Sequence, residues 1–329
     1  MTTIASIVAE TIFILFLYIA LGFFMRKTNI IDDRVNQGLA SIFFLTSLPA
    51  TILNSMFNQL FDQEMLINIV IVFFAFIIIY LIFAFTGLGI GKLFKLPRAR
   101  FGVYAMAISF GNVGIMGFPV AAALWGGLGS FYASIVTLAY FVLLPTLGVW
   151  LTVKSAKGDD GEPIKFSFRP NLALVAALIG LVYYIIQDSL PIAFINFVRP
   201  AVIDGVGGGA LGRFIGGVAA TMTPISMFMI GALLAKGKLS DIVGEKETLV
   251  LAAVKLLVAP VGLFFVVRLF VTDPVVLGVL IILSAMPAAS LSAVYAEKYG
   301  ADSAFASRAI MLTTMASLIS VPLVALLLG

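Results

Sequence analysis

Ten apolar runs follow one another along this chain with only short polar breaks between them, and that succession admits one kind of surrounding. A helix rising ~1.5 Å per residue needs about 20 mainly apolar residues to cross the hydrocarbon of a bilayer. The runs fall at 4–25, 36–58, 65–91, 100–126, 130–153, 171–187, 211–235, 247–271, 275–298 and 303–328. Of the 329 residues 62% are hydrophobic and 11% charged, and the mean hydropathy is +1.16. A soluble fold of this composition would carry a continuous apolar surface. The expected fold class is all-α, integral to a membrane, with ten transmembrane helices.

The net charge of +4 does not point to nucleic acid, because the basic residues sit in short breaks between apolar runs and form no stripe with interleaved aromatics. Cysteine and histidine are both absent. Disulfides, thiolate nucleophiles and the usual zinc ligands are therefore excluded, as is the commonest general base. No run carries a nucleophile–base pair or a metal cluster, so no enzyme and no cofactor is expected. Met1 to Glu10 lacks the basic start and small-residue cleavage site of a signal peptide, so the first run reads as a retained helix. Short loops and no targeting segment lead us to expect the plasma membrane, specifically a bacterial inner membrane.

Orientation follows from the breaks. With the N-terminus outside, 16 of the 20 Lys and Arg fall on the cytoplasmic side, from Arg26, Lys27 and Arg34 to Lys298 and Arg308. Arg199, Arg213 and Arg268 remain outside, and Lys255 lies within a run. The positive-inside rule then gives an N-out, C-out chain. The one long hydrophilic connector, 154–170, separates a first half (1–153) from a second (171–329), each with five runs. An odd number of spans inverts the second half, the inverted-repeat geometry of many secondary transporters. Prolines agree: Pro49, Pro119 and Pro145 in one half match Pro224, Pro287 and Pro322 in the other. Second-span to fifth-span proline is 96 residues in the first half and 98 in the second. The segment 188–210, with Pro191, Pro200 and four glycines, reads as a loop, an interfacial helix or a half-embedded piece.

Two runs are broken at matching places. The fourth contains Ser109-Phe110-Gly111-Asn112-Val113-Gly114-Ile115-Met116-Gly117-Phe118-Pro119, and the ninth Ser284-Ala285-Met286-Pro287-Ala288-Ala289-Ser290-Leu291-Ser292. Proline removes a backbone donor, and glycine lets other groups approach the backbone closely. In hydrocarbon such backbone survives only where protein or a wet cavity satisfies it. Two broken helices crossing at the midplane aim two N-termini at one point, which favours an anion.

Asn112-Val-Gly-Ile-Met-Gly-Phe-Pro119 resembles the Asn-x-Gly-x-x-Gly-x-Pro signature of the auxin efflux carrier family, prokaryotic relatives of the plant auxin carriers. Ala285-Met286-Pro287 followed by Ala296-Glu297-Lys298-Tyr299-Gly300 is similar to that family's later stretch, as are Leu48-Pro49 and Ile230-Gly231-Ala232 to its second and seventh helices. The resemblance covers nearly the whole chain. It implies the fold shared by sodium/proton antiporters and bile-acid symporters, with crossed broken helices 4 and 9. It also implies a scaffold of helices 1, 2, 6 and 7, a mobile transport domain of helices 3–5 and 8–10, elevator motion, a homodimer and organic-anion substrates. The chain departs from the family where many members carry an asparagine after the ninth-helix proline and this one has Ser290, Leu291 and Ser292. Its segment between helices 6 and 7 is also longer.

Lys255 stands about nine residues into its run, ~12 Å deep. It is either a positive charge beside the crossing, attracting an anion or replacing a bound cation, or a structural partner of helix-end carbonyls or a carboxylate. Glu10 is an interfacial or dimer-contact residue or a coupling acid. Runs 3, 4, 5 and 10 have no carboxylate in their cores, which argues against sodium/proton antiport and leaves uniport open. The expected substrate-binding residues are Asn112, Gly114, Pro119, Pro287, Ser290, Ser292 and Lys255, with Ser109, Thr137, Tyr140 and Thr313 as further lining. The reading is a carrier of a small organic anion. A sodium-coupled organic-anion symporter of the bile-acid type is the alternative.

Overall fold

The computed structural model describes residues 4–155, 171–203, 205–236 and 245–328, with the side chains of residues 4–9, 11 and 12 left undescribed. Most of the expected connector 154–170 thus lies outside the described residues. All regular structure is helical. No strand occurs among the described residues, only the isolated bridges Gly111–Ala288 and Ile203–Val206.

The chain runs through α1 (Ile4–Lys27), α2 (Asp33–Ile42), α3 (Leu48–Phe57), α4 (Gln63–Leu93), α5 (Arg98–Ser109), α6 (Phe118–Leu143) and α7 (Val149–Val153). It continues through α8 (Leu172–Ile186), α9 (Ile192–Val198), α10 (Ala210–Ala220), α11 (Met222–Lys236), α12 (Lys246–Ala253), α13 (Ala259–Val267), α14 (Pro274–Ser284), α15 (Leu291–Lys298) and α16 (Ser303–Ala325). Seven helical stretches among the described residues are long and apolar enough to cross a membrane. One, Val113–Val153, spans 41 residues and is kinked at Gly126, where φ is 59° and ψ is −133°. Only glycine adopts that backbone without strain. The outward side chains are apolar, as Phe85 (65% exposed) and Ile319 (70%) illustrate, which suits lipid rather than water.

Helix starts follow local chemistry. The carboxylates of Asp32, Asp273 and Asp302 and the amide oxygen of Asn171 accept N–H groups from the first turns of α2, α14, α16 and α8. Proline explains the joins between α2 and α3 and between α12 and α13. Its ring clashes with the carbonyl four residues back and it has no N–H. Before Pro49 and Pro260 the helix therefore widens into π turns, Phe43–Ser47 and Val254–Val258, closed by Leu48 N–H to Phe43 O and Ala259 N–H to Val254 O. A third wide turn, Val113–Gly117, precedes Pro119.

The chain forms two compact units. The first comprises Met1–Phe73, Gly114–Leu138 and Pro170–Lys236, the second Phe74–Val113, Ala139–Arg169 and Gly237–Gly329. In the first, α1 lies flush on α11 because both present glycine. A Cβ on Gly231 would stand 2.1 Å from Ile19 O, and one on Gly22 would stand 2.5 Å from Phe228 O. The segment 188–210, read as a loop, an interfacial helix or a half-embedded piece, contains a short helix. It is α9 followed by a tight turn in which Gly208 and Gly209 donate to Arg199 O and Asn196 O at 2.9 Å. Arg199, expected on the outer side, is 4% exposed, with Nε donating to Phe57 O and Nη2 to Gln187 Oε1. In the second unit Gly87 meets Ala105 backbone, where a Cβ would stand 2.6 Å from its Cα, whereas Gly89 faces open space.

Candidate functional site

The second unit holds both breaks. The α5 helix stops at Ser109, and Phe110 turns extended, with φ −89° and ψ 115°. The α14 helix stops at Ser284, and the chain stays irregular until α15 begins at Leu291. The two irregular stretches run antiparallel. Asn112 N–H donates to Pro287 O at 2.7 Å, and Ala289 N–H to Phe110 O at 2.9 Å. Ala288 N–H donates to Thr313 Oγ1 at 3.1 Å. Backbone freed by the breaks is thus paired across them, as a low-dielectric interior demands.

Lys255 reaches this crossing from the wide turn between α12 and α13. It is 1% exposed, and its Nζ lies 5.1 Å from the centre of the Phe83 ring. A Cβ on Gly111 would stand 3.4 Å from that Nζ and 3.2 Å from Met286 Cβ, so glycine leaves the space the ammonium uses. No carboxylate among the described residues pairs with it. Placing a lysine at such depth costs at least roughly 2.5–3.5 kcal/mol. The ring face returns only part of this.

Aromatic rings wall the other side of Phe110. Tyr80 stacks on it at 5.0 Å and Tyr140 meets it edge-on at 5.6 Å. Three polar groups remain unspent. The Oη of Tyr80 and the Oγ of Ser292, at 0% exposure, are buried with no hydrogen-bond partner among the described residues. The Asn112 side chain, 7% exposed, likewise has none among them. A cation, an amide and a hydroxyl with spare capacity on one unit have the chemistry to hold a carboxylate.

The expected residues divide accordingly. The crossing brings together Asn112, Pro287, Lys255 and Thr313. Thr313 acts as a brace, since its hydroxyl also donates to Ala309 O. Ser109 and Thr137 spend their hydroxyls on Ala105 O and Ala133 O of their own helices. Tyr140 sits in the aromatic wall, and Ser290 is half-buried at the start of α15. Gly114, Pro119, Thr137 and Glu10 belong to the first unit. There Gly114 packs beside Leu48, Glu10 is exposed on α1, and Pro119 lines a cavity of ≈ 250 Å³ with Thr51, Asn54, Ser130 and Thr223. Sequence reasoning missed this cavity. The signal was Pro119 and Pro224, which stand in the first turns of α6 and α11, two helices that wall it.

Also missed was a charge cluster in the second unit. Arg100 binds Asp302 at 2.8 Å and Glu245 at 3.0 Å, and Glu245 also binds Arg308 at 3.3 Å. Burial acts to raise the Asp302 carboxyl. The Phe305 N–H it accepts and the neighbouring Arg100 and Arg308 outweigh that and hold it below its ordinary value. The three helix starts of α5, α12 and α16 are tied there.

A family model described as membrane transport protein matches residues 7–165 and 162–325. An uncharacterized transporter of Methanocaldococcus jannaschii is 21% identical over 319 residues, covering 95% of this chain and 96% of its own length. An uncharacterized transporter of Methanothermobacter thermautotrophicus is 23% identical over 323 residues, again covering 95% and 96%.

Proposed function

The chain belongs to the membrane transport protein family, that of the auxin efflux carriers, and from this we propose that it is a secondary carrier of a small organic anion, most simply a carboxylate. The observation that carries this is Lys255, a buried lysine with no acidic partner among the described residues, beside paired helix breaks. A fixed site with spare positive charge and spare donors prefers an anion to a cation. Asn112 hydrogen-bonds the substrate, Ser292 and Ser290 offer hydroxyls, and Pro119 and Pro287 keep the breaks open.

The remainder of the reading follows the family pattern. Ten spans form a 5+5 inverted repeat, N-out and C-out, in a plasma membrane. Helices 1, 2, 6 and 7 act as scaffold, probed from either side as 3–5 and 8–10 carry the site past them, and two copies form the working carrier. These are proposals that the transporter family and the helical, apolar chain support.

Uptake into proteoliposomes tests the function. Radiolabelled malonate, malate, indole acetate and a bile acid are offered under an imposed potential, a pH gradient or a sodium gradient. Uptake of a small carboxylate without sodium is expected. Strict sodium dependence would move the assignment to the symporter, and no uptake or binding of any of them would overturn it.

A further inference from the structure

We propose that the cavity of the first unit is a second ligand site, built for a small neutral amide with an apolar body. It goes beyond the carboxylate reading and does not depend on it. Every residue that lines the cavity belongs to the first unit, and Lys255 to the second.

Four helices wall the cavity: α3 with Thr51 and Asn54, α6 with Phe118 and Ser130, α10 with Gly216 and α11 with Thr223. Its ≈ 250 Å³ exceeds the ~150 Å³ of a cavity that takes up benzene, so a ring and one functional group fit. Water is a poor filling. About eight molecules of ~30 Å³ would be needed, each wanting roughly two to four polar partners. Phe118, Met222 and three alanines offer them none from their side chains. No lining residue carries a charge, so an ion would lose its hydration and meet no counter-charge. The occupant is therefore neutral and partly apolar.

The hydrogen-bonding groups decide which neutral group fits. Thr51 donates its hydroxyl to Ser47 O at 2.8 Å and Ser130 to Gly126 O at 3.3 Å, so both have only lone pairs left to offer. Asn54 Oδ1 accepts one N–H, from Asn58 Nδ2 at 3.4 Å. The Asn54 Nδ2 and the Thr223 hydroxyl have no partner among the described residues. The Asn54 carboxamide thus holds a donor and an acceptor side by side. Another amide presents the reverse pair along one edge and closes two hydrogen bonds with it. A carboxylic acid has that edge only when protonated, and near neutral pH it is an anion. Glycine at 216 keeps the Asn54 amide open to the cavity. A Cβ there would stand 3.5 Å from Asn54 Oδ1 and 3.6 Å from Pro200 Cβ.

The test uses full-length protein in detergent and three molecules of one shape. These are benzamide, acetophenone, which has a methyl in place of the amide nitrogen, and benzoate, which is charged. In ligand-observed NMR titrations benzamide should bind saturably. Acetophenone should bind about tenfold more weakly, because it lacks the N–H that Asn54 Oδ1 accepts. Excess benzoate should not displace benzamide. Gly216→Ala adds a methyl at ordinary contact distance and should weaken benzamide about tenfold by crowding the amide edge. Thr223→Val keeps the shape, removes the free hydroxyl and should weaken it severalfold. Monodispersity checks that both variants fold. Should neither fold, the wild-type ranking of the three molecules decides alone. Absence of saturable benzamide binding would mean that the cavity holds water only, and would overturn the site. Equal affinities for the three molecules, displacement by benzoate, or a folded Gly216→Ala variant with wild-type affinity would overturn it too. None of these outcomes bears on the carboxylate carrier, which the uptake assay tests by itself.

Discussion

The amide N–H of Asn112 donates to the carbonyl of Pro287 at 2.7 Å, so each helix break repairs the other. The bond uses only the Asn112 backbone and leaves its side-chain amide unspent. Asn112→Ala should therefore leave the melting temperature in detergent nearly unchanged while lowering substrate affinity about tenfold, a change worth ~1.4 kcal/mol. A large drop in melting temperature with unchanged affinity would make the amide a structural brace.

Thr313 accepts the Ala288 N–H at 3.1 Å. Thr313→Val keeps the shape and removes the acceptor, leaving a buried donor orphaned at a cost of about 1–3 kcal/mol. Thr313→Ser keeps the oxygen and should lose much less. Thermal unfolding of the two variants side by side checks the ranking.

Gly87 and Gly89 lie two residues apart on α4 and should respond oppositely to alanine. A Cβ at Gly87 would stand 2.6 Å from Ala105 Cα, while one at Gly89 meets nothing within 4 Å. Gly87→Ala should destabilise by roughly 1–3 kcal/mol through overpacking. Gly89→Ala should be neutral or stabilise by about 0.5–1 kcal/mol through helix propensity. Equal melting temperatures for the two variants would contradict the packing.

Asp302 gives a pH dependence. Its folded carboxyl lies below the ordinary 3.8, so it adds stability above that pH and loses it as pH falls through the lower, folded value. The cluster is partly exposed, which limits the gain to about 1 kcal/mol or less. Asp302→Asn should melt slightly below wild type at pH 6–7, and the two curves should converge as the pH falls below about 4. A gap that persists unchanged to pH 3 would mean the carboxylate contributes nothing through its charge.

Some of these residues were legible in the sequence and others were not. Pro119 and Pro287 announce their breaks because proline cannot sit in a helix interior without disturbing it, whatever surrounds it. Lys255 announces itself because an ammonium deep in an apolar run is costly in any fold. Thr313 gave no comparable signal: a threonine in an apolar helix usually bonds its own turn, and this one does so too. Its second role exists because α16 passes the ninth-span break. Arg199 read as an outer-side charge, since nothing in the local sequence shows that Gln187 and the end of α3 close over it.

The sequence by itself determined that this chain is helical, suited to a membrane and interrupted at two matching places, because hydropathy, span length and proline act over a few consecutive residues. Tertiary structure alone decided what repairs the interruptions and what Lys255 meets there. Those contacts join Phe110, Ala288, Thr313 and Phe83 from different helices. Which helix faces come together depends on the packing of the whole unit, and no short stretch of residues encodes it.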